Sequence, residues 1–168
     1  MQKGVVMYAQ LNTKTVFSFM DATVKLTDYI TAAKTLGYQT LGISDVDNLH
    51  AAHQFITQAK AAGIQPVIGY ETTLLLDGLA INFTFIAKTN AGLQNLYSIS
   101  SKKNFGYNNF SDIHSHLCDV ALILPADSAV DSILTHLPQN DVFVGLAQPM
   151  AQGFLRPTIP FLSVRYLN

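Results

Sequence analysis

Polar side chains follow three short apolar runs of the sequence, where strands are predicted to end. Gln10 and Asn12 close the first run, Asp45 closes the second, and Glu71 closes the third. In parallel α/β folds, functional groups gather at the carboxyl ends of the strands. We therefore expect these side chains to converge. Carboxylates there are good ligands for a divalent metal ion, whereas neutral amides are weak ones.

A fourth polar residue, Asp21, lies in a short segment between the first strand and the first helix. Two interpretations are open. Asp21 joins the convergent group, or it caps the helix that follows, because aspartate is a preferred N-cap residue.

The five histidines include two pairs with spacings that metal sites use. His50 and His53 stand three residues apart in a helical pattern, but no glutamate lies between them as in HExxH, so a position on the helix surface is favoured. His114 and His116 alternate in a predicted loop and would share one side of an extended segment. No carboxylate of known position supports a metal there. His136 has no partner of this kind.

Other chemistries have little support. The single cysteine, Cys118, excludes an internal disulfide and has no protease-like context, and no GxSxG, GxGxxG or GxxxxGK[ST] motif occurs. Lys102 and Lys103 precede Phe105, Tyr107 and Phe110 and form the one basic and aromatic cluster, a type that contacts nucleic-acid backbones. Two lysines are more often part of a solvated loop.

Composition bounds the remaining possibilities. The 168 residues fit one domain, residues 1–168, and 49 % of them are hydrophobic, which excludes a disordered chain. Only 12 % are charged and the net charge is −1, which argues against a self-sufficient nucleic-acid binder. We find no apolar stretch of membrane-spanning length and no secretory leader, so we expect a cytoplasmic protein.

Strand and helix patterns alternate along the chain. Apolar strand runs are followed by helical spacing that ends at Gly37 and again at Gly63, and Asp77-Gly78 predicts a hairpin turn. Further strands are predicted at residues 120–124, 142–146 and 159–164, and a loop at residues 100–118. This alternation predicts an α/β fold with a largely parallel sheet, either open or closed into a barrel.

Three segments resemble the PHP (polymerase and histidinol phosphatase) domain, in the branch found at the N-terminus of bacterial DNA polymerase III alpha subunits. LGISD at residues 41–45 is similar to the strand that ends in ITDH, and NLHAAHQF with AAGIQPVIGYE, up to Glu71, is similar to GNLxGAxxFYxxAKxxGIKPIIGCE. FIAK and GLQNL at residues 85–96 resemble LLAKNxxGYxNL, which marks the polymerase branch.

The resemblance implies a distorted (β/α)7 barrel, incomplete here because the chain reads as an N-terminal fragment of a longer polymerase. It also implies a cluster of divalent metals that hydrolyses phosphate esters, yet most ligand positions are changed. The altered positions are Gln10, Asn12, Val46, Asn82 and Arg165. Asp21 and Glu71 remain, with Asp45 and Asp127 as further candidates.

Too few anionic ligands are left to offset the repulsion between adjacent dications. Arg165 would add a fixed positive charge that pairs with Glu71 or Asp21. We therefore predict no catalytic residues, no metal or other cofactor, and a structural scaffold role. The alternative is an active metal-dependent phosphoesterase or 3′-5′ proofreading exonuclease, with His114, His116 or His136 moved into the site.

The resemblance implies that the parent chain is a DNA-directed DNA polymerase, a nucleotidyltransferase of DNA replication. Its catalytic magnesium would lie in a palm domain downstream, outside this sequence. The expected partners of the domain are the remainder of the alpha subunit and, through the parent chain, replisome components and DNA. An independent small α/β ligand-binding protein is the third possibility, which the length of the native gene would decide.

Overall fold

A computed structural model describes residues 9–18, 22–126, 133–138, 140–147 and 156–165. The elements are strands β1 (Asn12–Thr13), β2 (Thr40–Val46), β3 (Gln65–Leu76), β4 (Leu79–Ala87), β5 (Val120–Pro125), β6 (Val142–Leu146), β7 (Thr158–Pro160) and β8 (Ser163–Val164), and helices α1 (Leu26–Thr35), α2 (Ala52–Ala61), α3 (Asn90–Asn104) and α4 (Phe110–Ile113). A 3-10 turn over His114–His116 follows α4.

Six strands form one sheet in the order β2-β3-β4-β5-β6-β7, and β1 pairs with β8. A bridge between Gln10 and Leu41 links the β1 segment to β2. Among the strands that the structure describes, the pairings of β4 with its two neighbours are antiparallel and the others are parallel. The predicted α/β fold with a largely parallel sheet is therefore confirmed.

The strand array is curved round on itself. Its two outer members are β7 and β8, yet Phe161 and Leu162 alone separate them in sequence. Because consecutive Cα atoms are about 3.8 Å apart, the ends of β7 and β8 lie within about 12 Å of each other. Gln10 also donates a 2.5 Å hydrogen bond from Nε2 to the Leu162 carbonyl. The result is an incomplete barrel of the predicted type.

Helices α1 and α2 pack against each other near the end of the sheet that β2 and β3 form, each through a short apolar face. The rings of Tyr29 and Phe55 stack with centroids 6.4 Å apart. Tyr29 also accepts a hydrogen bond from the Thr13 hydroxyl at 2.7 Å and donates one to the Gly42 carbonyl at 3.0 Å, which ties α1 to β1 and β2. A Cβ atom at Gly42 would lie 2.9 Å from the Leu11 Cα, so glycine allows the β1 segment to lie against β2.

Two predictions for the middle of the chain have different outcomes. The Asp77-Gly78 turn is confirmed: both residues have positive φ (50° and 81°), as a two-residue hairpin loop requires, and Leu76 pairs with Leu79. The predicted loop at residues 100–118 is wrong. Helix α3 continues to Asn104, and Leu96 and Ile99 supply its buried face. Helix α4 begins at a capping box formed by Asn109 and Asp112.

Candidate functional site

The candidate site lies at the carboxyl ends of β1 and β2 and at the middle of β3, where the parallel pairing of β3 with β2 ends at Glu71. The sequence predicts this convergence, but the expectation that Glu71 closes the third strand is wrong, because β3 continues to Leu76 in its pairing with β4. Asn12, Glu71, Asn82 and Arg165 line a single cavity of about 540 Å³. Neutral groups complete much of its wall, among them Thr84, Phe161 and Ser163. Four of the positions that the resemblance assigns to metal ligands thus face one space.

Lys14 is the central cation of the site. Its side chain is fully buried, and Nζ donates hydrogen bonds to the Asn12 Oδ1 atom at 2.7 Å, to the Ser44 carbonyl at 2.6 Å and to the Glu71 Oε2 atom. The Lys14 backbone N–H donates to the Val164 carbonyl at 2.8 Å. Lys14 therefore connects β1 and β8 with β2 and β3.

The geometry matches the charged form of Lys14. An ammonium has three N–H groups, one for each of the three oxygens around it, whereas a neutral amine has two. Burial lowers the pKa of Lys14 from its ordinary 10.5, and attraction to Glu71 and Asp45 offsets part of that effect. Arg165 lowers the pKa of Lys14 further by repulsion.

Glu71 is held by more than Lys14. Asn82 donates from Nδ2 to the Glu71 Oε1 atom at 3.0 Å, and the Thr84 hydroxyl lies 3.5 Å from Oε2. Both residues belong to β4, which pairs with β3 so that Thr84 lies opposite Glu71. The carboxylate is therefore fixed toward the ammonium by the strand pairing itself.

Asp45 organises the segment that follows β1 instead of facing the cavity. Its carboxylate accepts hydrogen bonds from the Thr15 backbone N–H at 2.6 Å, the Thr15 hydroxyl at 2.7 Å and the Ser18 hydroxyl at 2.7 Å. The Ser18 hydroxyl in turn accepts from the Val46 N–H at 3.1 Å. Asp45 and Val46 thus position a loop.

The remaining predicted residues fall into three groups. Gln10 bonds to the Leu162 carbonyl at the closure of the barrel. Arg165 donates to the Ser163 hydroxyl at 3.4 Å and lines the cavity, while Lys14 is the cation that contacts Glu71. Asp21 and Asp127 lie outside the described residues.

The histidines and the basic cluster lie away from the cavity wall. His53 lies on α2 and His50 just before it, and both are exposed, as expected for a helix surface. His114 and His116 form a 3-10 turn instead of the expected extended segment. His136 makes an exposed 3.4 Å contact with Asp77. Lys102 and Lys103 bond to the Asp112 and Thr73 carbonyls at 2.7 and 2.8 Å, and Lys102 also lies 5.7 Å from the centre of the Tyr107 ring.

Sequence reasoning missed Lys14. A lysine two positions after Asn12 is consistent with an exposed loop as well as with a buried site, and full burial of lysine is rare. The available signal was the alternation of Asn12 and Lys14 at a strand end, which places both side chains on one side of the chain.

The oxygen ligands available around Lys14 do not fit the metal cluster that the resemblance implies. They comprise one carboxylate, one amide and one backbone carbonyl, whereas Ca²⁺ takes six to eight oxygens and Mg²⁺ needs a near-octahedral set. A fixed ammonium among them also repels a dication. Within the described ranges, no group of three or more His, Cys, Asp or Glu side chains lies close enough to hold a metal ion.

Comparison with known proteins gives consistent relatives. DNA polymerase III subunit alpha of Streptococcus pyogenes serotype M3 is 36 % identical over 163 residues, which is 95 % of this chain and 15 % of the relative. The same subunit of Staphylococcus epidermidis is 40 % identical over 96 residues, 56 % of this chain and 9 % of the relative. The chain thus spans about 15 % of the first relative's length.

A solved structure described as a metal-dependent phosphoesterase, from Bifidobacterium adolescentis, has a TM-score of 0.46 and 18 % identity, covering 56 % of this chain and 32 % of that one. Across the part of the chain that the structure describes, no helix is long and apolar enough to cross a membrane.

The PHP domain family matches residues 10–144. This match confirms the resemblance seen in the sequence, and the chain belongs to the PHP domain family.

Proposed function

We propose that this chain is a structural, non-catalytic PHP domain of a DNA polymerase III alpha subunit. One observation carries the proposal: the Lys14 ammonium is bonded to Asn12 and Glu71, two of the positions that the resemblance assigns to metal ligands, and to the Ser44 carbonyl. This internal ion pair links β1, β2 and β3 and leaves the carboxylate without a free charge for a dication. The domain's task is then to hold its own barrel rigid as support for a polymerase core.

The partners follow from the same proposal. The curated relatives are far longer than this chain, so the rest of the alpha subunit is the expected neighbour, with replisome components and DNA reached through it. Magnesium would serve the polymerase reaction elsewhere in the parent chain, and the expected location is the cytoplasm.

Hydrolysis assays test the non-catalytic part of the proposal. The 168-residue chain is incubated with p-nitrophenyl phosphate and with single-stranded DNA, each with added Mg²⁺, Mn²⁺ or Zn²⁺. We expect no turnover above that of a Glu71→Gln variant. Metal-dependent turnover that this variant loses would overturn the proposal in favour of a phosphoesterase or proofreading nuclease.

The scaffold part needs the parent polymerase. A Lys14→Met substitution in the polymerase that carries this domain should lower its thermal stability and its DNA synthesis at elevated temperature, because the domain loosens. Synthesis at low temperature should be largely retained, since Lys14 takes no part in the reaction. An unchanged melting temperature together with lost synthesis at every temperature would contradict a support role.

A further inference from the structure

We propose that the three oxygens around Lys14 form a preformed site for a monovalent, ammonium-type cation, which the Lys14 side chain fills from within the chain. The inference deepens the proposed function and rests on it. It assigns a ligand class to the cluster, defined as the Asn12 Oδ1, Ser44 carbonyl and Glu71 Oε2 atoms. A free alkylammonium ion is expected to bind there once the lysine side chain is removed.

Contacts that do not involve Lys14 hold the Glu71 carboxylate, the Ser44 carbonyl and the backbone of Asn12 in place. Asn82 and Thr84 fix the Glu71 carboxylate, and the Ser44 carbonyl belongs to a strand paired with β3, where Ser44 lies opposite Gly69. Asn12 lies in β1, opposite Ser163 of β8. Removal of the lysine side chain therefore leaves its acceptors in position and creates a void between them.

Charge and geometry favour a monovalent cation over a divalent one. The cluster contains a single carboxylate, so one positive charge neutralises it. The contacts of 2.6 and 2.7 Å to Ser44 and Asn12 are typical of charge-assisted hydrogen bonds from nitrogen. Three oxygens are only half the set that Mg²⁺ or Ca²⁺ takes, so a dication would have to complete its shell with water.

A route to the cluster is also present. Asn12 and Glu71 line the cavity of about 540 Å³, which is far larger than a small alkylammonium ion. Truncation of Lys14 to alanine removes the atoms of a propylammonium ion, so propylammonium is the matching probe. Lys14→Met is the matched control, because its side chain fills the same space without a charge.

The experiment measures thermal unfolding of the full 168-residue chain with propylammonium chloride, with tetramethylammonium chloride at equal ionic strength, or with MnCl2. We expect propylammonium to raise the melting temperature of Lys14→Ala saturably, by about 3 °C at roughly ten times its Kd. Tetramethylammonium has no N–H group and should have no such effect. Lys14→Met, the wild-type chain and a Lys88→Ala variant, which breaks an exposed pair with Asp141, should not respond.

Equal responses of Lys14→Ala and Lys14→Met would overturn the inference, as would stronger stabilisation of Lys14→Ala by Mn²⁺. If Lys14→Ala does not fold in plain buffer, its refolding from urea is followed by circular dichroism with each cation. Recovery with propylammonium alone supports the site, and no recovery overturns it. Either failure leaves the proposed function standing, because that proposal is tested by hydrolysis in the wild-type chain and by DNA synthesis in the parent polymerase, and neither measurement depends on cation binding to Lys14→Ala.

Discussion

The buried ammonium of Lys14 forms an ion pair with the Glu71 carboxylate across the end of β1 and the middle of β3. Their side chains are 1 % and 11 % exposed, so water screens the pair weakly. Two more oxygens complete the coordination of the ammonium. Glu71 and Asn12 stand at positions that the resemblance assigns to metal ligands, and the positive charge between them belongs to a side chain of the protein itself.

Breaking this pair from either side should be costly. Lys14→Met leaves a buried carboxylate and Glu71→Gln leaves a buried ammonium, and each is expected to lower the free energy of unfolding by about 3–5 kcal/mol. The double variant leaves no uncompensated charge, so its loss should be smaller than the sum of the two. Urea unfolding followed by circular dichroism measures all four proteins, and strictly additive losses would contradict the coupling.

Asp45 should matter for the loop at residues 15–18 more than for chemistry. An Asp45→Asn variant loses a charged acceptor of three hydrogen bonds, which predicts a loss of about 2 kcal/mol in unfolding free energy. The loosened loop should also be cut faster by chymotrypsin after Phe17, which is 39 % exposed. Asp28→Asn, on the exposed face of α1, is the control and should change neither measurement.

Tyr70 should make the protein sensitive to alkali. Burial raises the pKa of this phenol from 10 to about 12, with the Thr72 and Ser100 hydroxyls opposing the rise. Between these values the unfolded chain gives up the proton and the folded chain keeps it, so stability falls as pH increases. Since one pKa unit corresponds to about 1.4 kcal/mol, the full loss is on the order of 3 kcal/mol.

Absorbance titration of the seven tyrosines should therefore include a late ionisation from Tyr70, and a Tyr70→Phe variant should lack that contribution. That variant should also lose less stability between about pH 10 and 12 than the wild-type chain does. An unchanged titration curve in Tyr70→Phe would contradict the assignment.

Gly69 should tolerate no side chain, because β3 lies directly against Ser44 at this point. A Cβ atom at Gly69 would lie 2.1 Å from the Ser44 Oγ atom and 2.8 Å from the Ile86 Cδ1 atom. We expect Gly69→Ala to cost about 1–3 kcal/mol through overpacking. Adding Ser44→Ala should recover part of that loss, whereas no recovery would show that the clash with Ile86 dominates.

Local patterns predicted the parts of the fold that local chemistry decides. The helices that end near Gly37 and Gly63 and the Asp77-Gly78 hairpin are present. The loop predicted at residues 100–118 is wrong because helix α3, which starts at Asn90, continues to Asn104. The polar residues in this part of the helix conceal its period.

The sequence predicted where the site lies but not which cation it contains. The convergence of Asn12 and Glu71 follows from the parallel topology, whereas the choice of cation depends on packing across β1, β2 and β3 that no local pattern encodes. The sequence suggests Arg165 as a partner of Glu71 or Asp21. Lys14 is the cation bonded to Glu71, and its backbone N–H is bonded to the Val164 carbonyl, while Asp21 lies outside the described residues.

The most direct test of the account is the metal content of the purified wild-type chain after incubation with Mn²⁺ and Zn²⁺ and extensive dialysis, measured by elemental analysis. Because the Lys14 ammonium already neutralises Glu71, we predict far less than one metal ion per chain, with the same result for Glu71→Gln. Near-stoichiometric metal in the wild-type chain that is lost in Glu71→Gln would contradict the claim that lysine has replaced the metal.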